Sequence, residues 1–188
     1  MSGAAPAAGV ARAPAGEVWH FSEDPGITEF VPHVAATARQ PEAFVWAVDG
    51  DRCPDYWFPR QCPRAMAWRT PGSGPEVGDR LLGGGVQRVH GIEYPWLRAL
   101  TTTTVHAYPF AAEQFRPFGD PPHAYVSEQL VRPLRPPLPV TDLVEQHERA
   151  GIQLRVVTDL FSWWAEVVPS GLGFSGIRLR NSPNVREV

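Results

Sequence analysis

A histidine followed two positions later by a hydroxyl, His20-Phe21-Ser22, sits just ahead of the turn-forming run Glu23-Asp24-Pro25-Gly26. At the end of a strand such a pair can present an imidazole and a hydroxyl to one ligand, or it can simply be a hydrogen-bonded structural histidine beside a turn. The run Tyr56-Trp57-Phe58-Pro59-Arg60-Gln61-Cys62-Pro63-Arg64 carries three consecutive aromatics, which cannot all face one core. At least one ring is expected to project toward a cleft or solvent, where it would be a stacking platform, and Arg60 and Arg64 bring planar forks suited to phosphate or carboxylate. The competing reading packs the rings in the core and pairs the arginines with Asp49, Asp51 or Asp55. In Ala124-Tyr125-Val126-Ser127-Glu128-Gln129-Leu130-Val131, strand alternation places Glu128 with Val126 and Leu130, so it is either solvated at an edge or a buried functional carboxylate. Arg178 and Arg180 alternate with Ile177 and Leu179 and share one face if the segment is extended.

All 17 basic residues are arginine, and lysine is absent. That removes Schiff-base, pyridoxal-phosphate and Walker-type chemistry, each of which needs a primary amine. Any cation that grips a phosphate must be an arginine, and the candidates are Arg60, Arg64, Arg178 and Arg180. A net charge of −3 provides no general field for nucleic acid, so the expectation is one small local anion site. Cys53 and Cys62 have poor zinc spacing and no nearby histidine pair, so no metal is expected. Nothing marks either thiol as an activated nucleophile. No run is long enough to span a bilayer, and the expected location is cytoplasmic.

The elements that would position these residues are short. A chain of 188 residues with 43% hydrophobic content fits a single domain. Residues 1–16 are almost wholly Ala, Pro and Gly and read as a disordered tail, with one α+β domain over 17–188. Strands are expected at 18–21, 44–48, 62–68, 80–82, 86–92, 105–110, 124–134 and 153–157, and an extended end at 174–180. Short helices are expected over 51–58, 95–100, 141–150 and 160–168, the last capped by Asp159, with a loop over 70–78. Strands outnumber helices and are irregularly joined, which predicts an α+β fold with a bent, mostly antiparallel sheet and short flanking helices.

Taken together, His20-Phe21-Ser22-Glu23-Asp24-Pro25, Val45-Trp46-Ala47-Val48-Asp49, Phe58-Pro59-Arg60-Gln61-Cys62-Pro63-Arg64 and Phe174-Ser175-Gly176-Ile177-Arg178-Leu179-Arg180 resemble a family of small uncharacterised bacterial proteins. More loosely, the chain is similar to the ADP-ribosyltransferase superfamily, including its RNA 2′-phosphotransferase branch. The likeness lies in His20-Phe21-Ser22, in the strand at Val45 to Val48, in Tyr56 or Trp57, and in Glu128-Gln129-Leu130-Val131, with Phe21 standing where glycine is usual. That resemblance implies an ADP-ribosyltransferase-like fold and NAD as a substrate. It also implies His20 and Glu128 as catalytic residues, with Ser22, Tyr56, Trp57, Arg60, Arg64, Arg178 and Arg180 around the cofactor. The reading that follows is an NAD-dependent transferase or NAD-cleaving enzyme with an open acceptor. The alternatives are a non-catalytic nucleotide- or protein-binding module, or a small biosynthetic hydrolase or lyase using Glu128 or His20 as acid or base.

Overall fold

The structure is a computed structural model that describes residues 9–34 and 41–185. In chain order its strands are β1 (Glu17–Ser22), β2 (Val45–Ala47), β3 (Arg64–Trp68), β4 (Arg88–Glu93) and β5 (Val105–Ala111). They continue with β6 (Arg116–Phe118), β7 (Ala124–Ser127), β8 (Leu138–Val140), β9 (Gln153–Val157) and β10 (Gly173–Ile177). The helices are α1 (Pro75–Leu81), α2 (Leu97–Thr102), α3 (Leu143–Arg149) and α4 (Leu160–Val167). The architecture is α+β, and the chain divides into two compact units. Among the described residues the first comprises 9–34 and 41–54 with 106–140, and the second 55–105 with 141–185.

The first unit carries two three-stranded sheets, ordered β1-β5-β8 and β2-β7-β6. Strand β1 runs antiparallel to β5 from Glu17↔Ala111 to Ser22↔His106, and β2 runs antiparallel to β7 with Trp46↔Val126. Its core is Val18, Phe30, Val45, Ala47, Tyr108, Phe110, Phe115 and Val131, an aromatic-rich set in which the Phe30 ring meets Tyr108 and Phe110 edge-on. Strand β1 stops because side chains take over the amides that follow it. The Ser22 hydroxyl accepts from Asp24 N, and Asp24 Oδ1 accepts from Gly26 N. Of the segment read as a tail, residues 1–8 lie outside the described residues. Ala13 lies against the loop after β2, its amide bonded to Cys53 Sγ and its carbonyl where a Cβ on Gly50 would have to sit.

The second unit is built on one sheet, ordered β10-β3-β4-β9, antiparallel except for the β4–β9 pair. Both β3 and β4 are buried nearly throughout, as central strands should be. Helices α1 and α4 close one core over Ala65, Ala67, Leu81, Leu82, Val89, Leu160, Trp164 and Val167. Asp159 caps α4 as expected, accepting from Phe161 N. One bent sheet was expected and three sheets are found, none of them closed on itself.

Two local expectations also change. Residues 75–81 form α1 where a loop and a strand were expected. Pro75 supplies a preset φ at its first turn, and Arg69 braces the helix by bonding Asp79 Oδ1 and the Pro75 carbonyl. The C-terminal segment is extended only to Ile177. Arg178 then takes a left-handed φ of 57° and Leu179–Asn181 is a 3-10 turn, so Arg178 and Arg180 do not alternate along a strand.

Candidate functional site

The second unit holds a buried polar chain beneath its aromatic segment. The His147 ring is fully buried, and its Nδ1 donates 2.6 Å to the Leu143 carbonyl, one helical turn back on α3. The carbonyl can only accept, so His147 Nε2 is the ring's acceptor and receives His90 Nδ1–H at 3.0 Å. His90 Nε2 accepts in turn from Arg88 Nε at 2.9 Å, and Arg88 Nη2 closes the chain on the buried Asp55 carboxylate. Both imidazoles are therefore neutral, with their tautomers set by the groups at either end. Burial pulls His147 down to about 4, with Arg88 adding to the effect and the Leu143 carbonyl opposing it. Phe58 and Trp57 pack on these rings, Phe58 against both and Trp57 edge-on to His147.

Upon this base the unit gathers its arginines. Arg64 is buried at the start of β3, donating from Nε to the Asp55 carbonyl at 2.8 Å and from Nη1 to the Cys62 carbonyl at 3.0 Å. Its guanidinium stacks 5.2 Å from the Phe58 ring centre and 5.5 Å from that of Tyr56. Strand pairing puts Ile177 opposite Arg64, which delivers Arg178 to the same end of the sheet. Asn181 Nδ2 then reaches Gln61, bonding its carbonyl at 2.8 Å and its Oε1 at 3.2 Å, and so fastens the Arg180 turn beside the Arg60 loop.

The electrostatics record this convergence. Burial lowers the proton affinity of Arg178, and the charges of Arg60 and Arg180 lower it further, with only the Tyr56 phenol opposing. Arg64 is lowered chiefly by burial and also by Arg178, against Tyr56, Cys62 and Asp55. Among the described residues no carboxylate acts on Arg178 and no acceptor is hydrogen-bonded to its guanidinium. The left-handed backbone at Arg178 thus holds it within electrostatic reach of Arg60 and Arg180, an arrangement of guanidinium forks chemically suited to an anion.

Trp57 contributes nothing to the open side of this cluster. It is fully buried, so it has no face for a ligand, and the half-buried Tyr56 is the ring that borders the arginines. Neither cysteine is bonded to another. Burial pushes the Cys62 thiol up to about 12, Glu93 adding to the shift and Arg64 opposing it, which leaves the sulfur protonated and inert.

His20, Ser22 and Glu128 belong to the first unit. The His20 Nδ1 donates 2.8 Å to the Trp46 carbonyl and the ring lies 4.9 Å from that of Phe30. The buried Ser22 hydroxyl serves the turn described above. Strand β7 ends at Ser127, whose hydroxyl accepts from Gln129 N, and Glu128 follows in the turn with its carboxylate in solvent, paired at 2.9 Å with Arg116. Both side chains of that pair are more than half exposed, so the pair is worth little. Glu128→Gln is expected to change stability by less than about 0.5 kcal/mol, read by urea unfolding. A loss above about 2 kcal/mol would show a buried role for this carboxylate.

Asp55, Arg88, His90, Glu93 and His147 were not singled out as a group by the sequence. The available signal was polar side chains at apolar-phase positions: His90 and Glu93 in a strand of buried residues, and His147 one turn from Leu143 on the inner face of α3. Only pairing across the unit shows that the histidines meet.

The class defined by these features is an α+β protein whose second unit carries a buried histidine chain and a cluster of arginines. The chain belongs to a family of unknown function, DUF6886, whose model matches residues 19–182. No curated protein and no solved structure matches it. Among the described residues no helix is long and apolar enough to cross a membrane, and no three His, Cys, Asp or Glu side chains are grouped to hold a metal.

Proposed function

We propose that this protein binds a small phosphate-bearing ligand of the nucleotide class through Arg60, Arg178 and Arg180, with Tyr56 as the bordering ring. One observation carries the reading: Arg178 is strained in backbone and surrounded by like charge, with no carboxylate among the described residues to relieve it. An anion that accepts from several guanidinium forks supplies the missing compensation. The buried Arg64 supports the cluster from below, since two of its donors are already spent on carbonyls.

NAD is the ligand that would join this subsite to the transferase likeness. Its pyrophosphate suits the arginines, but cleavage requires a carboxylate preorganised in a dry site. The solvated Glu128 and its Arg116 partner favour binding without cleavage.

The test is calorimetric titration of the full chain with ADP, inorganic pyrophosphate, adenosine and NAD. ADP and pyrophosphate are expected to bind and adenosine to fail. Arg178→Gln should weaken ADP binding about tenfold to a hundredfold, as loss of a charged hydrogen bond worth about 1.5–3 kcal/mol implies. Adenosine binding as tightly as ADP, or an Arg178→Gln affinity equal to wild type, would overturn the reading. Nicotinamide release from NAD that Glu128→Gln abolishes would replace it with the transferase.

A further inference from the structure

The Glu93 carboxylate closes β4 with no exposed surface, and its two oxygens are used very unequally. Oε1 accepts three hydrogen bonds, from Leu160 N at 3.1 Å, Ser182 Oγ at 2.9 Å and Asn184 Nδ2 at 3.0 Å. Oε2 is buried without a hydrogen-bond partner among the described residues. Such an oxygen is costly, and a carboxylate persists there only if the bonds to its other oxygen repay it.

Two of those three bonds go to the segment that follows the Arg178-Leu179-Arg180 turn. Ser182 also accepts from Asn184 N at 3.0 Å, and Asn184 Nδ2 also donates to the Thr158 carbonyl at 2.8 Å, so the segment is tied to the ends of β4 and β9 together. On its other side the turn is held by the Ile177↔Arg64 pairing and by Asn181 on Gln61. The left-handed Arg178 is therefore fixed from both flanks, and on the downstream flank one carboxylate oxygen binds both Ser182 and Asn184, with the Thr158 carbonyl as a second anchor for Asn184. Glu93 is not among the charges that act on Arg178 or Arg64, so its influence on the cluster is geometric.

We infer that Glu93 is the positioning residue of the anion subsite, acting through Ser182 and Asn184 to hold the Arg178–Arg180 turn in its ligand-ready geometry. The inference rests on the proposed phosphate-binding reading. It differs from a general packing role because its effect must pass through Arg178.

The experiment is a double-mutant cycle read by ADP titration on the full chain. The Ser182→Ala/Asn184→Ala variant, which leaves Glu93 in place, is expected to bind ADP at least tenfold more weakly than wild type. In an Arg178→Gln background the same two substitutions should change affinity by less than about threefold, because the arginine they position is gone. Glu93→Gln keeps an oxygen acceptor for all three donors and should bind within about threefold of wild type, whereas Glu93→Ala should match the double variant. If Glu93→Ala does not fold, the Ser182/Asn184 cycle decides alone. Wild-type affinity in the double variant, or an equal loss in both backgrounds, overturns the positioning role and leaves the binding reading standing. An Arg178→Gln protein that binds ADP as wild type does overturns both.

Discussion

Acidification from pH 7 to pH 4 is expected to remove about 3 kcal/mol of stability through His147 alone, a shift from the ordinary 6.5 to about 4 corresponding to that much differential proton binding. In the folded protein the ring is neutral because it is buried and its Nε2 is committed as the acceptor for His90. The unfolded chain takes up a proton as the pH falls below about 6.5, whereas the folded chain resists until about 4. This group's contribution is therefore full above pH 6.5, declines between 6.5 and 4, and is constant below. Since a small domain has only about 5–15 kcal/mol in hand, such a loss should be plain in urea midpoints measured at half-unit pH steps. His147→Gln removes the titration, so the wild-type curve minus the variant curve isolates it from the carboxylates. Parallel curves would show that His147 takes up its proton at the same pH in the folded and unfolded chains, which would contradict the hydrogen-bond directions from Leu143 to Arg88.

Trp57→Ala is expected to cost about 3–5 kcal/mol, the range for deleting a large buried aromatic. Trp57 has no exposed surface and packs edge-on to His147, so the substitution leaves a cavity beside the histidine chain. Trp57→Phe should recover most of the loss by filling most of that volume. Tyr56→Ala should behave in the opposite sense, with a smaller stability change and a larger effect on ADP affinity, because Tyr56 is half-buried and adjoins the arginines. Denaturant unfolding and ligand titration on the same three variants separate the two rings. A Trp57→Ala protein as stable as wild type but unable to bind ADP would make Trp57 the platform.

Adjacent residues thus divide between the buried core and a half-buried position, and the division illustrates which features are legible in a sequence. That three consecutive aromatics must split between core and surface follows from geometry alone. Which ring goes inward depends on where His147 and Arg64 lie, and both are brought there by pairings outside the segment. The capped helix after Asp159 and the strand at 153–157 were readable because a side-chain cap and a short β-branched run are local signals. Helix α1 was not, because Gly, Pro and Ser dominate its approach and its support comes from Arg69, a residue outside the helix.

The absence of lysine and the placement of arginines were determined by the sequence itself. They make arginine the one side-chain cation open to a phosphate, with Arg60, Arg64, Arg178 and Arg180 as the candidates. Tertiary structure decided what each does. The β10–β3 pairing brings the two arginine-bearing segments together, Arg64 is committed to carbonyls and aromatic faces, and the left-handed turn sets Arg178 among like charges. The structure likewise shows that Glu93 and the two histidines form buried polar contacts. Hydrogen bonds between distant segments have no periodicity in the chain, so composition can name the available donors and acceptors but only the fold can pair them.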